Sequence, residues 1–375
     1  MNIYVIGSGF FGAVIAERIA ADAGIPVTVI EKRHHVGGNS WSEICPDTGI
    51  ECHKYGSHIF HTSDEQVWNY MCRFTGFNNY RHKVLTTYNE NVYTMPINLT
   101  TINSFYGLSL TSSEVSTFIA GEAAKEKIDK PENLEEKAVS LIGRPLYEAF
   151  IKGYTIKQWD KDPRELSSGI ISRLPVRNDD NDRYFSDKYE GIPLDGYGKL
   201  FAEILNHDLI SVKLNTDFFA VRDSIPPDSL ILYTGAIDQF FDYCHGKLEW
   251  RTSTFETDIH DFPDYQGTTV MNYASHEIPY TRIHEFKHYH PERPSTDKTI
   301  TYTEYSKKSK DKDEPYYPVA TERNLMILEK YKKDAAKLNN VIFGGRLGSY
   351  KYLDMDDAIS EALKCYESRV VPLLK

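Results

Sequence analysis

Four consecutive apolar residues, Ile3-Tyr4-Val5-Ile6, end abruptly at Gly7, and the apolar positions that follow (Val14, Ile15, Ile19, Ala20) fall at helical spacing. This pattern predicts a buried strand, a tight turn and a helix, and Val27-Thr28-Val29-Ile30 predicts a second strand. Residues 65–76 are expected to be helical, and residues 80–95 to be extended with a turn near Asn89-Glu90-Asn91. Between about 98 and 152 the pattern turns helical, with starts marked by Thr111-Ser112-Ser113-Glu114 at capping-box spacing and by Asn133-Leu134-Glu135-Glu136. Residues 160–195 show little periodicity and predict a long loop able to act as a lid.

Further along, the pattern predicts a helix at about 196–206 and strands near 210–214 and 229–233. Alternating segments between 248 and 305, such as Thr268–Tyr273 and Thr299–Thr303, predict an antiparallel sheet. The charged stretch from Ser306 to Glu314 is expected to be a solvated loop. A helix at about 321–337 then leads into Asn340-Val341-Ile342-Phe343-Gly344-Gly345-Arg346, a strand ending in glycines, and a C-terminal helix from about Met355.

The opening turn carries chemistry. Gly7, Gly9 and Gly12 have the spacing of a dinucleotide fingerprint: the first permits the tight turn, the second lets backbone amides approach a diphosphate, and the third lets helix and strand pack closely. Glu31 follows 19 residues after Gly12, where a carboxylate can accept from ribose hydroxyls and repel a 2′-phosphate, which disfavours NADP. The run Glu31–Asn39, with its second glycine pair Gly37-Gly38, resembles the extension found in FAD-binding oxidases and favours FAD over NAD.

Composition narrows the field. A chain of 375 residues with 41% hydrophobic content can bury a large core in two or three domains. A formal charge of −11 argues against broad nucleic-acid affinity. Five scattered cysteines with no CxxC pair indicate neither a disulfide framework nor a zinc site. No apolar run approaches the ~20 residues that span a bilayer, so no membrane insertion and a cytoplasmic location are expected.

Several further motifs converge: Tyr55-Gly56-Ser57-His58-Ile59-Phe60-His61-Thr62, Gly153-Tyr154-Thr155-Ile156-Lys157-Gln158-Trp159, Arg173-Leu174-Pro175-Val176-Arg177, Pro279-Tyr280-Thr281-Arg282, Pro315-Tyr316-Tyr317-Pro318 and Gly345-Arg346-Leu347-Gly348-Ser349-Tyr350-Lys351-Tyr352-Leu353-Asp354-Met355. In this order, along nearly the whole chain, they resemble the bacterial UDP-galactopyranose mutase family. The resemblance implies an α/β architecture: an FAD-binding Rossmann-like domain with a parallel sheet (residues 1–80, 196–240 and 318–375), an inserted helical domain (98–160), and an antiparallel-sheet substrate domain with a mobile loop (81–97, 161–195 and 241–317).

It also implies the interconversion of UDP-galactopyranose and UDP-galactofuranose for cell-surface polysaccharide synthesis, in a homodimer whose FAD is active when reduced by a cellular reductant. In that family the reduced flavin N5 is the nucleophile at the anomeric carbon, with no net redox change. By the same resemblance Arg173 and Arg282 grip the diphosphate and His61 is a catalytic candidate. Tyr184, Tyr317 and Tyr352 donate to phosphates, Tyr154 and Trp159 hold the uracil, and Asn272 joins the substrate site. Cofactor contacts fall to Gly7, Gly9, Phe11, Gly12, Glu31, Lys32, Gly38, Asn39, His58, Ile59, Arg346, Tyr352, Asp354 and Met355; no metal is implied. Asp354 can alternatively cap the helix that starts at Met355.

Two positions depart from the family pattern: Ser57 stands where proline is usual, and His82 where an asparagine lies near the sugar. The second leaves room for an N-acetylated hexose. A flavin amine-oxidase-like enzyme and a noncatalytic nucleotide-sugar or FAD-binding module are the competing readings, both disfavoured by the two arginines.

Overall fold

The computed structural model describes residues 1–171, 176–310 and 312–374. Its first layer is a five-stranded sheet, all parallel, in the order 341–343, 230–233, 3–6, 27–30, 210–213. Such a sheet is covered on both faces, and its central strands are accordingly largely apolar: Val5, Val29 and Leu232 are wholly buried, while the edge strand 210–213 exposes Ser211 and Lys213. The helices Phe10–Ala23, Gly196–Ile204 and Met355–Cys365 join the same core through Val14, Ile15, Phe201 and Ile359.

The second layer is a seven-stranded sheet in the order 317–318, 250–260, 299–308, 282–285, 270–273, 84–88, 91–95. Its longest pairing runs antiparallel from Arg251↔Lys308 to His260↔Thr299. The sheet is antiparallel at every junction except one: strand 84–88 joins 270–273 in parallel. The long chain excursion between those two strands supplies the connection that a parallel pairing needs.

That excursion includes the helical segment. Asn98, Thr111 and Asn133 sit at the N-caps of helices Leu99–Tyr106, Ser112–Ala124 and Leu134–Leu146, and the first two complete capping boxes. Ile102, Val115, Leu134, Val139, Ile142 and Phe150 form a separate core. Lys157 ties this segment to the large sheet, its ammonium donating to the carbonyls of Tyr273, Ser275 and Tyr280 at 2.6, 2.8 and 2.8 Å.

Three sequence expectations change. The helix foreseen over 65–76 ends at Met71, because the chain doubles back so that Phe77 packs on Phe60 and Trp68. The stretch 160–195 is a loop in part only: single turns occupy 163–165 and 168–171, and strand 189–191 pairs with 60–62. The charged stretch 306–314 is not simply solvated, since strand 299–308 continues into it and Glu314 pairs with Lys32 and Arg33, each at 2.8 Å. Among the described residues no helix is long and apolar enough to cross a membrane.

Glu51 anchors the small hairpin 42–44/51–53 near the cofactor-type turn. Its buried carboxylate accepts from Ser42 Oγ at 2.5 Å and Arg293 at 2.8 Å and lies 3.1 Å from His290 Nε2. Burial alone would raise its pKa, but the partners, led by His290, outweigh that and bring it down to about 2. A depressed folded-state pKa adds stability that is present above the ordinary carboxylate value and disappears as pH falls toward 2, on the order of 3 kcal/mol. Denaturant titrations between pH 4.5 and 2 are expected to show a smaller acid-induced loss in Glu51→Gln than in the parent chain.

Candidate active site

The turn after the first strand is shaped by two glycines. Gly7 has φ 97°, and a Cβ there would meet Thr234 Oγ1 at 2.2 Å; a Cβ on Gly12 would lie 2.0 Å from the Gly7 carbonyl oxygen. Gly9 is the N-cap of the following 14-residue helix and brings no side chain to cap it, so the first-turn amides face the cavity over open space. Such an end attracts anionic groups.

Glu31 ends the second strand, where it accepts from Ser8 N at 3.0 Å, Ser8 Oγ at 2.7 Å and Arg33 N at 2.9 Å. A carboxylate has about four acceptor positions, so the one that remains is available to a ribose hydroxyl. Lys32 pairs with Glu314, and Asn39 accepts from Arg33 at 2.8 Å. Phe11, Gly38, Ile59 and Met355 line the same cavity, as does Asp354, which occupies the N-cap of helix Met355–Cys365.

This cavity measures about 2300 Å³ and runs from the glycine turn to the large sheet. A single drug-sized ligand fills roughly 300–1,000 Å³, so the space suits two ligands side by side. At the far end three neighbouring strands set Asn272, Arg282 and Glu304 in register: Asn272 pairs with Arg282, and Arg282 with Glu304. Arg282 Nε lies 3.1 Å from Glu304 Oε2. Glu304, Tyr154, Tyr317 and Tyr184 all raise the proton affinity of that guanidinium, which stays charged despite its burial. Tyr317 stacks on Tyr352 at 5.9 Å, and Trp159 ends the helix that carries Tyr154. The Asn272 Oδ1 is buried and accepts no hydrogen bond from the protein.

Between the two ends lie His58, His61 and Arg346. Burial pushes His58 down to about 4, leaving it neutral, with Nδ1 2.8 Å from the Gly56 carbonyl oxygen. His61 Nδ1 lies 2.8 Å from an Asp187 carboxylate oxygen, and its ring stacks on Phe185. Arg346 donates to the carbonyls of Tyr316 and Pro315 and faces the Trp250 ring, none of which carries a full negative charge. Burial lowers its pKa to about 10, so the cation is held at a desolvation penalty that an anionic cofactor group would relieve.

The fold therefore collects the sequence-selected residues into one cavity, with one exception: Arg173 lies outside the described residues. His82 also lines it, buried and neutral, its pKa brought down to about 3 by burial and by Arg282. Sequence reasoning missed Glu304 and His284. The available signal was the strand alternation, since Glu304 falls on the face of Ile300 and Tyr302, both buried: a carboxylate on a core face needs a partner. Away from the cavity, Cys244-His245-Asp334 and Asp264-Glu285-His288 each bring donor atoms within 4.8 Å, but the acids of the second group are already held by Lys287 and backbone amides.

A dinucleotide-type parallel layer facing a sheet that presents a half-buried cation is the architecture of an α/β nucleotide-binding protein. The NAD(P)-binding Rossmann-like domain model matches residues 5–74, and the UDP-galactopyranose mutase model matches residues 149–352. The chain is 42% identical over 363 residues to a probable UDP-galactopyranose mutase of Klebsiella pneumoniae, covering 97% of this chain and 93% of that protein. It is 39% identical over 368 residues to the dTDP-fucopyranose mutase of Escherichia coli, covering 97% of each. The crystal structure of a reduced UDP-galactopyranose mutase superposes with a TM-score of 0.76 at 15% identity, covering 99% of this chain and 96% of that one. The chain belongs to the UDP-galactopyranose mutase family.

The Lys157 clamp positions Tyr154 and Trp159. Lys157→Met strips three carbonyls of their donor and is expected to destabilise the chain by about 1–3 kcal/mol in urea unfolding.

Proposed function

We propose that this enzyme interconverts the pyranose and furanose forms of UDP-galactose with bound FAD. The observation that carries the reading is the charged Arg282, ringed by Tyr154, Tyr184 and Tyr317 at the end of a cavity that begins at the glycine turn. The helix end at Gly9, Glu31, Gly38 and Asn39 hold the adenosine diphosphate part, while His58, Arg346 and the 352–355 segment hold the ring. The donor set fits: amides for phosphate, a carboxylate for ribose, and a buried cation for a ring that carries negative charge when reduced. When bound and reduced, FAD supplies the nucleophilic chemistry at the anomeric carbon.

The side chains do the rest. Arg282, with Arg173 as its proposed companion, binds the diphosphate and offsets the charge that grows on it as the glycosyl bond weakens. The tyrosine hydroxyls add donors without adding charge, and their rings, with Trp159, wall the nucleotide from water. Glu304 holds Arg282 in place, so its guanidinium is already oriented when substrate arrives.

A second reading concerns the substrate. The 39% identity to a dTDP-fucopyranose mutase favours testing a deoxythymidine nucleotide and a 6-deoxy sugar, and His82 at the cavity wall keeps an N-acetylated hexose in the comparison.

The test is direct. The yellow purified protein is reduced with dithionite, given UDP-galactofuranose, and followed by chromatography; UDP-galactopyranose is expected, with no reductant or oxygen consumed per turnover. An amine-oxidase-like enzyme would consume oxygen, a binding module would yield no product, and faster conversion of dTDP-fucofuranose would move the assignment to that substrate. Arg282→Ala is expected to lower turnover by roughly 100-fold or more while FAD content, read from the absorbance spectrum, survives.

A further inference from the structure

Ser57 stands in the loop that faces the cavity, beside His58, and is only partly buried. Its Oγ lies 2.5 Å from His284 Nδ1, and the opposite nitrogen of that ring, Nε2, lies 2.8 Å from Glu304 Oε2. The same carboxylate accepts from Ser253 Oγ at 2.8 Å and sits 3.1 Å from Arg282 Nε. The proton positions along this chain follow from the charges at its end.

Glu304 is buried, which by itself would raise its pKa, but Arg282 and His284 more than offset that and bring it down to about 2. An ionised carboxylate only accepts, so His284 Nε2 must carry a hydrogen. His284 is itself wholly buried beside the Arg282 cation, and burial, aided by that cation, outweighs the pull of Glu304 and leaves its pKa below the ordinary imidazole value. A neutral ring with hydrogen on Nε2 has a lone pair on Nδ1, so the Ser57 hydroxyl must donate there. A serine normally rotates to donate or accept as its neighbour requires; this one has its only hydrogen committed inside the protein. The buried Tyr289 hydroxyl also lies within its reach; with its hydrogen held by His284, Ser57 offers only lone pairs to that hydroxyl and to the cavity.

We propose that the Ser57–His284–Glu304 chain makes Ser57 an acceptor-only specificity residue, selecting a hydroxyl donor on the sugar of the bound nucleotide sugar, with His284 as the positioning residue that fixes its hydrogen. The inference rests on the nucleotide-sugar reading above. The sugar is the favoured source of the donor because His284 lies on the strand that carries Arg282 and pairs with the strand of Asn272, and Glu304 stands opposite Arg282 on the strand beyond. The diphosphate, which offers only acceptors, is repelled from Ser57 and drawn to the arginine. One carboxylate thereby sorts the two halves of the ligand, holding a cation for the phosphates and, through His284, an acceptor for the sugar.

Two measurements test this on the full FAD-loaded chain. In the first, ¹⁵N-histidine labelling and NMR are expected to find His284 as the Nε2–H tautomer, with the Nδ1 resonance moving in Ser57→Ala. A hydrogen on Nδ1 overturns the proposal. In the second, calorimetry on the reduced protein compares UDP with UDP-galactose. Ser57→Ala is expected to weaken UDP-galactose by roughly 3- to 10-fold, the worth of one neutral hydrogen bond, and to leave UDP within about twofold. Ser57→Thr, which keeps the hydroxyl, is expected to restore sugar binding.

Equal weakening of both ligands, no weakening of either, or lost FAD content in Ser57→Ala would each overturn the sugar assignment, the last by pointing to an N–H of the cofactor ring. Failure of the parent chain to bind UDP would sink the nucleotide-sugar reading itself, and the NMR result would still decide the hydrogen ordering.

Discussion

A single buried carboxylate, Glu304, governs the large-sheet end of the cavity. A negative charge in a protein interior is tolerated only with close compensation, and Glu304 receives it from Arg282, His284 and Ser253. Because Asn272, Arg282 and Glu304 stand at matched positions on neighbouring strands, the sheet register fixes the cation and its flanking amide. A one-residue slip of any one of these strands would send its own residue to the opposite face and break the set. The sheet is thus the device that places the chemistry, and the cavity wall follows from it.

The other end is governed by close backbone approach. Gly12 lies against the Gly7 carbonyl so tightly that any side chain would displace the helix, and that contact aims the helix end into the cavity. The two ends are joined by the 55–59 loop and by Arg346, whose guanidinium is met by carbonyls. A polarised space results, with amides at one end, a paired guanidinium at the other and a second cation between. Such an arrangement favours anionic groups over cationic ones.

Much of this was legible in the chain. The glycine spacing, the strand before it, the capping signals at Asn98, Thr111 and Asn133, and the closing strand at Val341–Phe343 are local features, and local sterics and hydrogen bonding decide them. The tyrosines and Arg282 stood out through motif resemblance. Other features were not visible. The helix from Glu65 stops early because Phe77 must reach Phe60 and Trp68, and the charged 306–314 segment docks because Glu314 meets Arg33 across 281 positions of sequence. Neither partner is inferable from the neighbouring residues.

The sequence by itself determined most of the strands and helices, where the glycine turn lies and which family motifs are present, because these depend on periodicity and on short-range backbone constraints. Only the tertiary structure decided that Glu304 faces Arg282, that His284 bridges it to Ser57, and that strand 84–88 joins the large sheet in parallel. Those outcomes turn on strand order and register, which are settled by the burial of whole faces against one another and by the need of each interior charge for a partner.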